Sequence, residues 1–522
     1  MSSLNFDLRN IEQHFGPRLG SVTLKREDGS ILPEIRTPGL ITATSRGVVS
    51  HLSRDHTSLT EAVRWVVLPF ESFLERNPPV PTLQGGPNAM HKFLGYKSRQ
   101  HHLFLTLRDP SDQREMPANG KDHVAAKTVR GVRKITPAQW KAYMHACKPD
   151  IVSPLSDVPF TQPPYSQKRI MKSLERSTAW LADLLSTRDN PNGEPFKVFV
   201  HLVGAHDARA RRAFSEGLVE KLYGQDAELV APLQTLDEGL SGYILELAHL
   251  RSSLVGTDST DLPETTYELC RASLEPLPAG KLRIAHTPSS PHEVLRLIQN
   301  VGVDLFDAPW VHQAADLGIA LDFRFPVGLS VPNVGQPCTA PVKRGAGRLD
   351  IGHNLFSNAY AHDHTRFASS FLDAASVSQL PANHEAHEFV CKCLACSPVT
   401  ATECIVHSSV DSFRPTDPPS QNLPYTRAYV HHLLHTHEMS SHALLAMHNL
   451  TVVDRFFADI RAILSSPDGE ARFREEVKKF HEAYDEELVV FDEARAQWAK
   501  VERERGKGRL NREKGSDLAD ED

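Results

Sequence analysis

Cysteine is scarce in this chain, with 7 residues in 522. So few, and an odd number, exclude a disulfide-stapled scaffold. Long apolar runs are missing as well. No stretch approaches the length needed to span a bilayer. The opening residues, Met-Ser-Ser-Leu-Asn-Phe-Asp-Leu-Arg-Asn, lack a basic start followed by an apolar core, so no secretory leader is expected. A cytosolic protein is the expectation. There is no excess of positive charge either: 58 basic residues stand against 65 acidic ones, a net charge of −7. A chain that grips RNA unaided is more often basic, because phosphate contacts supply most of the affinity.

What is present is enough for a large fold. Hydrophobic residues make up 40% of the chain, with 23 phenylalanines, and this supports a sizeable core. The 36 prolines point to many long connections. The length allows one large domain with additions, or two or three domains.

Short apolar runs alternate with helical patterns. The predicted strands are Leu40–Ser45, Trp65–Phe70, Leu103–Leu107, Asp150–Pro154, Lys197–Gly204, Gly242–Leu247, Lys281–Thr287 and Val303–Phe306. Between them, Thr60–Arg64, Pro137–His145, Gln167–Leu185, Ala208–Leu222 and Pro291–Asn300 read as helices. Eight strands with intervening helices predict an α/β fold, a (β/α)8 TIM-like barrel, with an open doubly wound sheet as the rival. The barrel core is expected over 1–380. Asp109–Arg133 is polar and rich in proline and glycine, and reads as a loop or hairpin insertion. A charged helical segment is expected over 466–505. The end, 506–522, is charged and poor in apolar residues, and is expected to be disordered.

Three of the seven cysteines fall within Cys391-Lys392-Cys393-Leu394-Ala395-Cys396. Such clustering in an intracellular protein points to metal rather than to a disulfide, and zinc favours four soft or borderline ligands in a tetrahedron. The fourth ligand has many candidates: Cys404, His407, His431, His432, His435, His437, His442 and His448. His448 precedes a run in which Leu450, Val453, Phe457, Ile460 and Leu464 recur at helical spacing. A helix holds an imidazole at a fixed distance better than a loop does. The zinc-binding subdomain is expected over 381–465, with an irregular proline-rich insertion at 397–424.

In a barrel, chemistry sits where strands end. Asp157, the segment Gly204-Ala205-His206-Asp207, and Asp307 all fall at such positions. A carboxylate there can be a nucleophile, a base, or a cap on the next turn.

The cysteine motif, followed by Tyr425-Thr426-Arg427-Ala428-Tyr429-Val430-His431-His432 and Leu444-Leu445-Ala446-Met447-His448-Asn449-Leu450, resembles the zinc subdomain of the tRNA-guanine transglycosylases. Gly302-Val303-Asp304-Leu305-Phe306-Asp307 is similar to their nucleophile segment. Arg36-Thr37-Pro38-Gly39 with Ser45-Arg46-Gly47-Val48-Val49, and His91-Lys92-Phe93-Leu94-Gly95, also fit. The resemblance runs from Pro38 to Leu464. It implies one structural Zn2+ on Cys391, Cys393, Cys396 and His448, Asp307 at the nucleophile position, and a base-binding place for Asp157. The family exchanges guanine for another base at the wobble position of tRNAs with GUN anticodons, queuine in eukaryotes. It needs two carboxylates with separate roles at one glycosidic bond.

Departures from the pattern are decisive. Where active members carry Asp-Ser-Gly-Gly, this chain has Arg108-Asp109-Pro110-Ser111. After Asp307 the run Pro309-Trp310-Val311-His312-Gln313-Ala314-Ala315-Asp316 lacks the arginines that grip tRNA. The glycine-rich turns are reduced to Leu202-Val203-Gly204-Ala205 and Gly239-Leu240-Ser241-Gly242. The resemblance therefore implies the non-catalytic subunit of the eukaryotic heterodimer, with no catalytic residues of its own. It would partner a catalytic subunit, meet tRNA through the complex, and be able to form a homodimer alone. Two alternatives stand beside this reading. One is an active enzyme using Asp307 with Asp109 or Asp157. The other is a zinc-stabilised homodimer no longer acting on tRNA. Peripheral association with the mitochondrial outer membrane needs no motif visible in the chain.

Overall fold

The computed structural model describes all residues except 1–2, 10–12, 113, 160–162, 187–194, 256–261, 329–330, 332–336, 378–388, 400–422 and 520–522. The chain divides into two compact units. One comprises Met1–Trp310 with Phe457–Val477, and the other Val311–Phe456 with Lys478–Asp522.

The first unit begins with a three-stranded antiparallel sheet, β1 (Ser3–Leu8), β2 (Gly20–Lys25) and β3 (Ile35–Thr37). Then follow β4 (Gly39–Ala43), β5 (Trp65–Pro69) and β6 (His102–Thr106), and a hairpin of β7 (Val124–Thr128) and β8 (Gly131–Ile135). The strands β9 (Ile151–Val152), β10 (Val198–His201), β11 (Leu240–Glu246), β12 (Leu282–His286) and β13 (Leu305–Asp307) complete the set. Strands β4, β5, β6, β9, β10, β11, β12 and β13 form a closed parallel barrel. Pairing of Leu305 with Gly39 and of Asp307 with Ile41 closes it. All eight predicted barrel strands are observed.

Parallel strands covered on both faces are mostly apolar, and these are buried almost throughout. The inward residues Ile41, Trp65, Val67, Phe104, Ile151, Phe199, Ile244, Ile284 and Leu305 form one core with Val22, Leu24, Leu32 and Ile35 of the first sheet and its connection. That sheet therefore plugs the end of the barrel where the strands begin. Gly242 makes room inside: a Cβ there would lie 2.7 Å from the Leu282 carbonyl oxygen and collide with the Phe199 ring.

Helices follow the strands, and several of their starts are capped. Ser166 accepts from the Arg169 N–H at the head of Gln167–Leu185, and Ser290 accepts from the Glu293 N–H at the head of Pro291–Asn300. Both spans match the sequence reading. The short helix expected at Thr60–Arg64 lies earlier, at Arg54–Leu59. Ser53 caps its start, and the Thr60 N–H closes its end on the His56 carbonyl, so Thr60 is a terminus and not an interior residue. The polar stretch 109–133 contains the hairpin, which extends to Ile135.

In the second unit, β14 (Ile319–Leu321) and β15 (Gly352–Asn354) pair antiparallel. The helix Arg427–His435 follows. The helix Met439–Leu464 places Leu450 and Val453 in the unit's interior. The division between the units falls at Trp310, well before the boundary expected at 380. Residues beyond it belong with the cysteine region's helices: Asn449 donates to the Ile319 carbonyl at 2.9 Å and accepts from the Leu321 N–H at 2.9 Å. The last helix, Val489–Ala519, runs past Gly506, where order was expected to end. The stretch contains no proline, and its lysine, arginine and glutamate are good helix formers.

Candidate metal centre and barrel mouth

Cys391, Cys393, Cys396 and His448 are all buried, and their ligand atoms lie within 4.8 Å of one another. The loop is shaped by its own backbone. Cys391 N–H donates to the Leu372 carbonyl, Ser397 N–H to the Cys393 carbonyl, and Tyr425 N–H to the Ala395 carbonyl. The three sulfurs stand 3.5, 3.8 and 3.4 Å from His448 Nδ1. A tetrahedral ion with metal–sulfur bonds of about 2.3 Å and metal–nitrogen bonds of about 2.0–2.1 Å separates such atoms by about 3.6 Å. The donor set fits a metal ion. His448 Nε2 lies 2.9 Å from the Leu321 carbonyl oxygen. Donation to that oxygen leaves Nδ1 unprotonated towards the sulfurs, the usual way a second contact fixes a ligand histidine.

The other candidates for the fourth place are elsewhere. Cys404 and His407 lie outside the described residues. His431, His435 and His442 sit at hydrogen-bond distance from the carbonyls of Leu355, Phe356 and Ala315. His432 and His437 are not in the four-residue group. Below the loop, the Asp322 carboxylate takes His353 Nε2 at 2.8 Å and the N–H groups of Ser369 and Ser370 at 2.6 and 2.8 Å. Buried Arg427 donates to the Phe367 carbonyl, and the Phe367 ring stands edge-on to His448. On the same helix Tyr429, with Tyr425 just before it, forms an exposed stacked pair, ring centroids 5.6 Å apart. Replacing one soft ligand, Cys393→Ser, is expected to reduce bound metal from about one ion per chain to a small fraction, and to lower the melting temperature. Elemental analysis beside a thermal melt checks both.

At the barrel mouth, Asp157 has no exposed surface. Its Oδ1 accepts from Asn119 Nδ2 at 2.7 Å and Arg169 Nη2 at 2.8 Å. Its Oδ2 accepts from Arg169 Nη1 at 2.9 Å and Arg176 Nη1 at 3.0 Å. A carboxylate has about four lone-pair sites, and here all are filled by the chain itself. Asp307 is likewise buried. Its Oδ2 lies 2.6 Å from His286 Nδ1, and its Oδ1 accepts from the Thr287 N–H. Burial opposes charge on His286, but the Asp307 carboxylate and their hydrogen bond outweigh it and raise the imidazole above its ordinary value.

Arg108 reaches to the insertion that carries the hairpin. It donates to the Ala125 carbonyl and to Asn119 Oδ1, 3.1 Å away. Burial pulls its pKa down to about 10, against the pull of Glu71 and Asp157. Asp109 folds into a local turn: its Oδ1 accepts from the Ser111 N–H and hydroxyl, and its N–H donates to Glu71 Oε1 at 2.9 Å. Burial raises the Asp109 carboxyl, and carries Glu71 up to about 7. Glu246 is partly buried, which opposes its charge, yet the pairing with His201, 2.8 Å away, takes its carboxyl down to about 2. The cavity lined by Arg108, Asp109, His201 and Glu246, with Thr106, His249 and Ser156, measures about 40 Å³. A water occupies roughly 30 Å³ of liquid, and ligand clefts run to about 300–1,000 Å³. Asp207 proves to be a cap, accepting from the N–H groups of Arg209 and Ala210.

The partners Glu71, Asn119, Arg169, Arg176 and His286 went unread in the sequence. The seven-residue spacing of Arg169 and Arg176, with Ser173 between them on one helix, is the one local signal. Glu71 gives a pH prediction. Its folded pKa of about 7 exceeds the unfolded 4.5, so the folded state loses stability as pH rises through that window. Glu71→Gln is expected to match the parent near pH 4.5 and to exceed it by about 1–3 kcal/mol at pH 8. Denaturant titration at the two pH values decides this.

A family model described as queuine tRNA-ribosyltransferase matches residues 14–486. The chain is 24% identical over 464 residues to the queuine tRNA-ribosyltransferase accessory subunit 2 of Aedes aegypti, covering 88% of this chain and 89% of that one. The same-named protein of Schizosaccharomyces pombe is 26% identical over 473 residues, covering 90% and 82%. That of Drosophila melanogaster is 26% identical over 461 residues, covering 88% of each. With its closed eight-stranded barrel, its Cys3His cluster and a match over nearly its whole length, the chain belongs to the queuine tRNA-ribosyltransferase family.

Proposed function

We propose that this chain is the non-catalytic, accessory subunit of a tRNA-guanine transglycosylase, which exchanges guanine for queuine at the wobble position of GUN-anticodon tRNAs. The observation that carries the reading is the saturation of Asp157. A base-recognising carboxylate must offer free acceptors to a purine's N–H groups, and this one has spent all of them on Arg169, Arg176 and Asn119. Asp307 is engaged as well, though less completely. Attack on an anomeric carbon needs a carboxylate oxygen with a lone pair aimed at it. Both oxygens of Asp307 are engaged, one of them by a histidine. The cavity beside Arg108 and Asp109, about 40 Å³, is too small for a base and its ribose.

Cys391, Cys393, Cys396 and His448 would hold a structural Zn2+. Four protein ligands close the ion's coordination, so it would supply rigidity and no reaction. Its loop is tied to Tyr425, and the exposed Tyr425–Tyr429 pair next to it is the kind of aromatic surface that anchors a subunit contact. The catalytic homologue would dock there and bring the working carboxylates. No described helix is long and apolar enough to cross a membrane.

Incorporation of labelled queuine into a GUN-anticodon tRNA tests this. Activity is expected only when the purified chain is mixed with its catalytic homologue. Asp307→Asn in this chain should leave turnover of the mixture within about twofold of the parent. Turnover by the chain alone, abolished by the same substitution, would establish a rebuilt active site using Asp307 and Asp109.

A further inference from the structure

The hairpin of β7 and β8 has a charge that the rest of the chain does not share. Val124–Ile135 contains Lys127, Arg130, Arg133 and Lys134 and no carboxylate, in a chain of net charge −7. Arg130, Arg133 and Lys134 are exposed, as are Val129 and Val132 between them. The hairpin is well fixed. The Thr128 hydroxyl donates to the Gly131 carbonyl and accepts from the Arg130 N–H across the turn. Gly131, at φ +103°, supplies the backbone that turn requires. The base of the hairpin is held by the degenerate mouth. Arg108, standing near the family's acid/base position, donates to the Ala125 carbonyl, and Asn119 Oδ1 accepts from the Ala125 N–H at 3.0 Å. Asn119 also joins this corner to the helix Gln167–Leu185, through Arg176 at 3.0 Å. That helix turns Arg169 and Arg176 inward to Asp157 and keeps Lys168 and Lys172 exposed. The acids that act on the hairpin lysines, Asp112 and Asp122, have partners of their own in Arg114 and His123.

We propose that this hairpin, with Lys168 and Lys172, is a contact surface for the phosphodiester backbone of the tRNA on which the complex acts. The proposal rests on the accessory-subunit reading above. The side chains that fill the catalytic mouth thereby hold a rigid cationic ribbon at its rim. Charge on an outer strand also discourages edge-to-edge pairing, but that role needs no lysines on a neighbouring helix. Cations on a fixed backbone give sequence-independent affinity that weakens as salt rises.

The test uses the complex of this chain with its catalytic homologue, carrying either Arg130→Glu with Lys134→Glu, or Lys168→Glu with Lys172→Glu. Lys221→Glu, at another exposed site, is the control. Fluorescence anisotropy of an unmodified GUN-anticodon tRNA transcript is read between about 50 and 200 mM salt. Each pair is expected to weaken binding about tenfold or more and to flatten the salt slope by about 1–2. The charge-keeping pair Arg130→Lys with Lys134→Arg should bind as the parent does, which excludes a folding defect. Unchanged affinity and slope in both reversal pairs would overturn the proposal. So would loss of binding to phosphatidylserine vesicles with tRNA binding intact, which assigns the patch to anionic lipid. If the parent chains form no complex, the accessory reading fails by itself, and the same titration on the chain alone still decides the surface.

Discussion

Asp157 is a carboxylate with no exposed surface, and the barrel mouth is organised around satisfying it. Leaving a buried charge uncompensated costs several kcal/mol. Two guanidinium groups and an amide meet that cost here, and they come from separate parts of the chain: Arg169 and Arg176 from one helix, Asn119 from the insertion after β6. Once these groups converge, the insertion is pinned, and Arg108 has Asn119 and the Ala125 carbonyl to hold. A barrel of this kind ordinarily keeps its mouth open and polar for substrate. In this chain the same polar groups are turned on one another.

The metal region follows a similar logic within its own unit. Three cysteine sulfurs and an imidazole are packed at ligand spacing, and the second contact of His448 is a backbone carbonyl of β14. Asn449, the next residue, secures that strand through both of its side-chain ends. Asp322, just beyond the strand, gathers His353, Ser369 and Ser370. Arg427 and Phe367 connect this buried network to the metal ligands. A ligand set supported this thoroughly is preorganised, so an ion there would lock a surface and leave the surface's shape to the protein.

The barrel was legible in the sequence because parallel strands covered on both faces are rich in apolar residues, most clearly in Trp65–Phe70. The first sheet was not, since β1 alternates Leu4 and Phe6 with Asn5 and Asp7 and makes no continuous apolar run. The cysteine cluster was legible from spacing, whereas choosing His448 among the other candidates required the family resemblance. The state of the mouth was only half legible. The missing glycines and the arginine at position 108 could be read off the chain. The partners that close the site could not: His286 meets Asp307 across 21 residues, and Asn119 meets Asp157 across 38. Such contacts are made by the barrel's closure, and no local pattern records them.

Equilibrium dialysis of labelled guanine and labelled queuine against the metal-loaded chain, without its catalytic homologue, addresses the self-filled mouth most directly. With Asp157 saturated by Arg169, Arg176 and Asn119, no saturable binding is predicted at millimolar base. Saturable uptake of one base per chain, competed by the other base, would contradict the account.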